Sequence, residues 1–283
     1  MEYKAKHTFG YNLTKFILYV LLTALAVICL VPFLMMTVNA TRTPFEITNG
    51  FTLIPGHALA DNWKTVFNYF NLFKGMWNSL KVALPATLLG AYFPALAAYA
   101  LAFYKFKGNK TIFWVILVFM MIPGTLSLIG FYQLCAALKI TNSYIPLTVP
   151  AIAASGTVFF LRQYIQASLS PALIEVARID GASEIFSFHR IVIPIIFPAI
   201  ATMSIMGFIG NWNSYMLPMI ILSKPEKYTL PVMLVSLRSS TDITQNYGAI
   251  YLCIAISMIP IILVFITFSR YIISSVSQGA VKE

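Results

Sequence analysis

Ser168–Pro194 reads SLSPALIEVARIDGASEIFSFHRIVIP, a charged island between two apolar runs. Ser170 followed by Pro171 pairs a capping residue with a first-turn proline, so a helix starts there. At about 100° per residue, Glu175 and Arg178 share one narrow face, and Ala172, Leu173, Val176, Ala177 and Ile179 form the broad opposite one. The helix stops near Gly181. Asp180 is unfavourable at a helix C-terminus, where the macrodipole is negative, which points to another task for it, such as capping the next turn. A second short helix runs from about Ser183 towards the next apolar run. Two short helices joined by a tight glycine turn form either a docking knob or a pair lying on a membrane surface.

Outward from this island the chain is mostly apolar. Of 283 residues, 59% are hydrophobic and 10% charged, against roughly 25% charged in soluble domains. The apolar residues are gathered into charge-free runs: Phe16–Met36, Val82–Tyr104, Thr111–Leu138, Ile140–Leu161, Ile191–Ser223 and Ile243–Ser269. A bilayer core about 30 Å thick needs about 20 helical residues, so each run is long enough. Amides in lipid must be satisfied within their own segment, which makes the runs helices. The fourth run, with Ser143, Pro146, Pro150, Ser155 and Gly156, is the least apolar. The expected fold is an all-α integral membrane protein of six transmembrane helices, with the short helix pair between helices 4 and 5.

An even number of spans places both termini on one side. With both inside, segments 1–15, 105–110, 162–190 and 270–283 carry 11 Lys/Arg in 64 residues. They are Lys4, Lys6, Lys15, Lys105, Lys107, Lys110, Arg162, Arg178, Arg190, Arg270 and Lys282. The outer segments 38–76, 136–143 and 214–247 carry 7 in 81, so the positive-inside rule favours N-in, C-in. The net charge of +10 flanks the spans and forms no nucleic-acid stripe; it anchors the chain against anionic headgroups. Lys4 and Lys6 precede an apolar run too long for a signal peptide, so a retained first span is expected. Cys29, Cys135 and Cys253 lie in or at the ends of different spans without ligand spacing and read as buried structural thiols.

The outer loops 38–76 and 214–247 contain aromatics and prolines. Residues 45–70, with Phe51, Ile54, Trp63, Phe67, Tyr69 and Phe70, are too apolar for a linker and should pack on helix ends. Without repeats or a soluble catalytic segment, 1–283 reads as one membrane domain. No Asp or Glu lies well inside any span, whereas ion-coupled transporters usually place acids there. Gly108-Asn109-Lys110-Thr111 lacks the upstream glycine of a phosphate-binding loop. His7, His57 and His189 are scattered, so neither catalytic nor metal residues are assigned. An ion-coupled secondary transporter and a membrane enzyme are the rival readings, both poorer in support.

The island also resembles the cytoplasmic loop of binding-protein-dependent ABC importer permeases: Glu-Ala-Ala, three residues, Gly, nine residues, Ile, one residue, Leu-Pro. Here it reads Glu175-Val176-Ala177, Gly181 and Ile191-Val192-Ile193-Pro194, with Val176 for Ala and Ile193 for Leu. Ile179-Asp180-Gly181-Ala182-Ser183 resembles the carbohydrate branch, as in maltose-type permeases. Asn78-Ser79-Leu80 and Gly210-Asn211-Trp212-Asn213 are similar to further family stretches, although Ser214-Tyr215 stands where Glu-Phe is common. The tail from Arg270 to Lys282 is similar to the ending of the smaller permease of the pair, with Ser275 for a frequent Gly.

This resemblance implies one subunit of an importer for a sugar or oligosaccharide in a bacterial-type plasma (inner) membrane, with a non-sugar solute as the alternative. The implied partners are a second homologous permease, two ATPase subunits and an extracytoplasmic sugar-binding protein. ATP and Mg would reside in the ATPase subunits, and no cofactor in this chain. Glu175, Ala177, Arg178, Asp180, Gly181 and Pro194 would couple to an ATPase, with Glu175 facing a basic residue there. Asn78, Asn211, Trp212, Asn213 and Tyr215 are substrate-path candidates, since amides and aromatic faces suit sugars. Interfacial anchoring is the other reading of the same residues.

Overall fold

In the computed structural model, which describes residues 9–69, 71–238 and 246–280, every regular element is helical. Lys4, Lys6, His7, Phe70, Ile243, Val281 and Lys282 lie outside these residues. The chain sorts into two compact units, one from 1–71 and 236–256, the other from 72–235 and 257–283.

The first unit contains α1 (Phe9–Asn39), α2 (Pro44–Thr48) and α3 (Leu59–Tyr69). The first outer loop is thus largely helical. Thr43 and Glu46 start α2 with a reciprocal capping box, and the bonds from the Thr43 amide and hydroxyl hold the Glu46 carboxyl below its usual range. Asn62 of α3 is buried and donates to the carbonyls of Ala40 (2.9 Å) and Arg42 (3.0 Å). Gly248 sits so close to the Arg42 carbonyl and the Asn62 amide that any Cβ there would collide with both.

The second unit begins with α4 (Leu72–Phe103), α5 (Asn109–Met121), α6 (Leu128–Ala137), α7 (Ile145–Thr148) and α8 (Ser155–Ser168). It continues through α9 (Pro171–Ile179), α10 (Glu184–Ser187), α11 (Ile193–Asn213), α12 (Met216–Ile221) and α13 (Leu230–Arg238). The last helix, α14, covers Tyr247–Ala280; its residues up to 256, like those of α13 from 236, belong to the first unit. α4 packs against α8 and α11 along small residues: Ala83, Ala86, Ala95, Ala98 and Ala199 are all buried. Such residues let backbones approach where lipid supplies no hydrophobic drive between helices.

Tyr11–Asn39, α4, Ile145–Ser168, Glu184–Asn213 and Tyr247–Tyr271 are each long and apolar enough to cross a bilayer. The third apolar run differs from its expectation. It is two helical pieces, Asn109–Met121 and Gly124–Ala137, bent by 89°, and makes a sixth span only if counted as one. Pro123 is the physical cause: the residue before a proline is pushed out of the α region, and Ile122 has ψ 121°. The fourth helix also runs on to Ser168, so Arg162 lies inside it and not in a loop. Its guanidinium stacks 3.9 Å from the Phe113 ring centroid, and its Nε donates to the Leu101 carbonyl (3.3 Å). Cys135 and Cys253 are buried as expected, but Cys29 is exposed on α1.

Candidate functional site

The segment between α8 and α11 folds as a helix, a glycine turn and a second helix. Ser170 occupies the cap position of α9 in extended conformation, without a side-chain cap bond. α9 ends at Ile179 in a Schellman motif: the Ala182 amide donates to the Ala177 carbonyl (2.9 Å) and the Gly181 amide to that of Arg178 (3.0 Å). Gly181 has φ +79°, a conformation that only glycine adopts freely. Two local expectations need correction. Ser183, not Asp180, caps the next helix, accepting from the Phe186 amide (3.2 Å), because its extended backbone aims the hydroxyl at that amide; Asp180 stays exposed. Nor is the second helix a separate rod, since α10 runs through a π turn at Phe188–Val192 directly into α11. Pro194 costs nothing there, because the wide turn before it already interrupts the regular ladder.

The faces of α9 also differ from the periodicity argument. Ile174 and Ala177 point inward, and Leu173, Val176 and Ile179 outward. Ile179 is 84% and Ile185 72% exposed, and Phe186 lies open beside them. Glu175 is exposed on the same short helix and has no hydrogen bond or ion pair among the described residues. An apolar cluster with one unpartnered carboxylate is thus presented at the end of the helices.

Behind this surface stands a polar latch that sequence reading missed. Glu184 Oε1 lies 2.6 Å from Arg178 Nε, and its Oε2 accepts from the hydroxyls of Tyr99 (3.1 Å) and Tyr104. The Arg178 guanidinium sits over the Tyr104 ring. The bond to Glu184 holds Arg178 above its ordinary pKa, and partial burial, then that carboxylate, raise the Tyr104 phenol. One carboxylate therefore ties α9 and α10 to the end of α4. In sequence Glu184 looks like an ordinary acid in a first turn, and nothing in the spacing announces two tyrosines 80 and 85 residues earlier.

The substrate-path candidates separate into two groups. Asn78 is buried and donates to the carbonyls of Glu226 (2.9 Å) and Tyr228 (3.0 Å). Trp212 is 1% exposed, its Nε1 donates to the Ser257 carbonyl (3.0 Å), and its ring stacks on Phe208. Both have their polar groups committed inside the protein, and neither presents a face to a solute in this conformation. Asn211 donates back to the Gly207 carbonyl (2.8 Å). Asn213 and Tyr215, at the end of α11 and just beyond it, are exposed.

A family model described as binding-protein-dependent transport system inner membrane component matches residues 90–278. The arabinooligosaccharides transport system permease protein AraQ of Halalkalibacterium halodurans is 33% identical over 91% of this chain and 93% of its own length. The diacetylchitobiose uptake system permease protein NgcG of Streptomyces coelicolor is 31% identical over 93% and 87%. A solved bacterial ABC transporter that imports the acidic polysaccharide alginate shares the fold, with TM-score 0.79 at 21% identity over 95% of this chain and 99% of its own. The chain belongs to the binding-protein-dependent inner-membrane transport components, a family of permease subunits that are not themselves enzymes.

Proposed function

We propose that this inner-membrane permease, acting as one domain over 1–283, imports a sugar or oligosaccharide as half of a translocation pathway. The second half is a homologous permease. Two ATPase subunits, holding the ATP and Mg, drive it from the side of the 168–190 segment, and an extracytoplasmic binding protein delivers solute to the other. That places both termini inside, the orientation favoured by the basic residues. The support for the solute class is that AraQ and NgcG are named for oligosaccharides and cover nearly the whole chain.

The observation that carries the coupling role is the surface of Val176, Ile179, Ile185 and Phe186 with free Glu175, backed by the Glu184 latch. Exposed apolar clusters of this kind mark protein contacts. Val176 and Ile179 would fill an ATPase groove, and Glu175 would meet a cation at its rim. The latch and the continuous α10–α11 rod make the surface a lever: a push on α9 reaches α4 through Glu184 and α11 through the π turn. The exposed pair Asn213 and Tyr215 is the remaining solute-contact candidate. The test is purification of the tagged chain followed by uptake of labelled arabino- and chito-oligosaccharides in proteoliposomes. Co-elution of an ATPase and ATP-dependent uptake is the expected result; purification without an ATPase overturns it.

A further inference from the structure

A second feature lies at the same end of α4, outside the coupling surface. The 104–108 turn, the start of α5 and the flank of α8 enclose a cavity of about 450 Å³, within the range of small-ligand sites. Lys105, Lys110 and Arg162 line it, together with Gly108, Thr111 and Gln166, and no carboxylate does. The arginine is held rigid by Phe113 and the Leu101 carbonyl, and its polar partners, that carbonyl and the Gln163 side chain, are neutral. Three cations thus converge on a hollow without a counter-charge. α5 adds to this: its cap residue Gly108 brings no side-chain bond, so the Lys110 and Thr111 amides at its start have no acceptor within the helix.

We propose that this cavity binds a phosphate group, supplied by the phosphodiester of an anionic phospholipid. The lipid source follows from the surroundings. Phe106, itself a lining residue, is 43% exposed, and α5, which starts at the cavity and leaves Ile112 and Trp114 46% and 67% exposed, gives acyl chains an apolar surface next to the charged hollow. Basic pockets between membrane helices hold anionic headgroups in this way. Tyr104 lines the cavity and also bonds Glu184 through its hydroxyl, so an occupied site would stiffen the turn from which the latch hangs. The inference does not depend on which solute is carried.

The test uses the chain in the complex with which it purifies, freed of lipid and titrated with phosphatidylglycerol, phosphatidylcholine or inorganic phosphate under native mass spectrometry. The variants are Lys105→Gln/Lys110→Gln and a control with the same charge loss elsewhere, Lys64→Gln/Lys224→Gln. All four lysines are exposed, so the fold is preserved. The wild type and the control should retain phosphatidylglycerol over phosphatidylcholine. The Lys105/Lys110 variant should bind it roughly thirtyfold more weakly, the effect of two charges near a surface. Inorganic phosphate that binds the wild type and not that variant, without a preference for either lipid, keeps the phosphate chemistry and overturns the lipid source. Equal weakening in both variants, or equal retention of phosphatidylcholine by the wild type together with no binding of inorganic phosphate, overturns the site.

Discussion

At the Leu72 end of α4, polar side chains are turned inward and used up. Asn78 holds two carbonyls of the segment after α12, the Ser79 hydroxyl accepts from the Leu230 amide (2.8 Å), and Asn142 accepts from the Ser223 and Lys224 amides. At the Phe103 end the arrangement is reversed: apolar Val176, Ile179, Ile185 and Phe186 face outward, and the Glu184 latch lies behind them. The first end spends most of its polar side chains internally, whereas the second presents apolar ones to its surroundings. Substitutions should therefore act differently at the two ends. Changes at the closed end lose protein, and changes at the open end lose transport while protein remains.

The largest effect expected is that of Glu175→Lys. The side chain is exposed and unpartnered, so membrane content should match wild type. Uptake should fall about a hundredfold or more, because a like charge at an interface costs several kcal/mol. Transport in vesicles supplied with ATP measures it, and near-normal uptake would detach Glu175 from any partner. Trp212→Ala tests the opposite end of α11. Removing a buried indole costs about 3–5 kcal/mol and breaks its bond to the Ser257 carbonyl. A lower melting temperature and reduced yield of the purified complex are expected, in place of a selective loss of sugar affinity.

Gly181→Val comes next. No atom lies within 4 Å of a Cβ built at this glycine, so the obstacle is the backbone and not space. A left-handed conformation costs a side-chain-bearing residue about 1–2 kcal/mol, and a β-branched one at the upper end. Uptake should drop about tenfold, with ATP hydrolysis no longer stimulated by loaded binding protein. Gly181→Asn, which tolerates φ > 0 better, should retain several-fold more uptake. Equal activity of the Val and Asn variants would show that the turn is not the constraint.

How far each end was legible in sequence follows from the same physics. Runs of apolar residues announce spans because lipid imposes one requirement on all of them, and Gly181 with its flanking helices was readable because a Schellman turn is local. The break at Pro123 was not read, although the proline stands in the run, since many membrane helices absorb a proline with only a bend. The Glu184 latch and the Asn78 clamp depend on partners 80 and 148 residues away. No periodicity encodes such a pairing. Trp212 shows the limit most clearly: an indole beside two asparagines suits a sugar face and a buried packing site equally well, and its bond to the Ser257 carbonyl, 45 residues away, is not encoded in any local pattern.

Asn213→Ala should have the smallest effect and sharpens the comparison within three residues. Trp212 and Asn213 are neighbours at the end of α11, yet one is 1% exposed and the other open. Helical geometry makes this unavoidable, since adjacent side chains point about 100° apart and cannot both enter the same packing surface. Asn213 has no carbonyl to hold, so its loss leaves no buried group unsatisfied, and yield and melting temperature should match wild type. If its amide meets a sugar hydroxyl, the half-saturating solute concentration for uptake should rise several-fold, the worth of one hydrogen bond of about 0.5–1.5 kcal/mol. The maximal rate should change little, because the coupling end is untouched. Tyr215→Phe beside it removes a hydroxyl and keeps the ring, which separates hydrogen bonding from stacking. Unchanged half-saturation in both variants would assign solute contacts to the partner permease and leave this end of α11 purely structural.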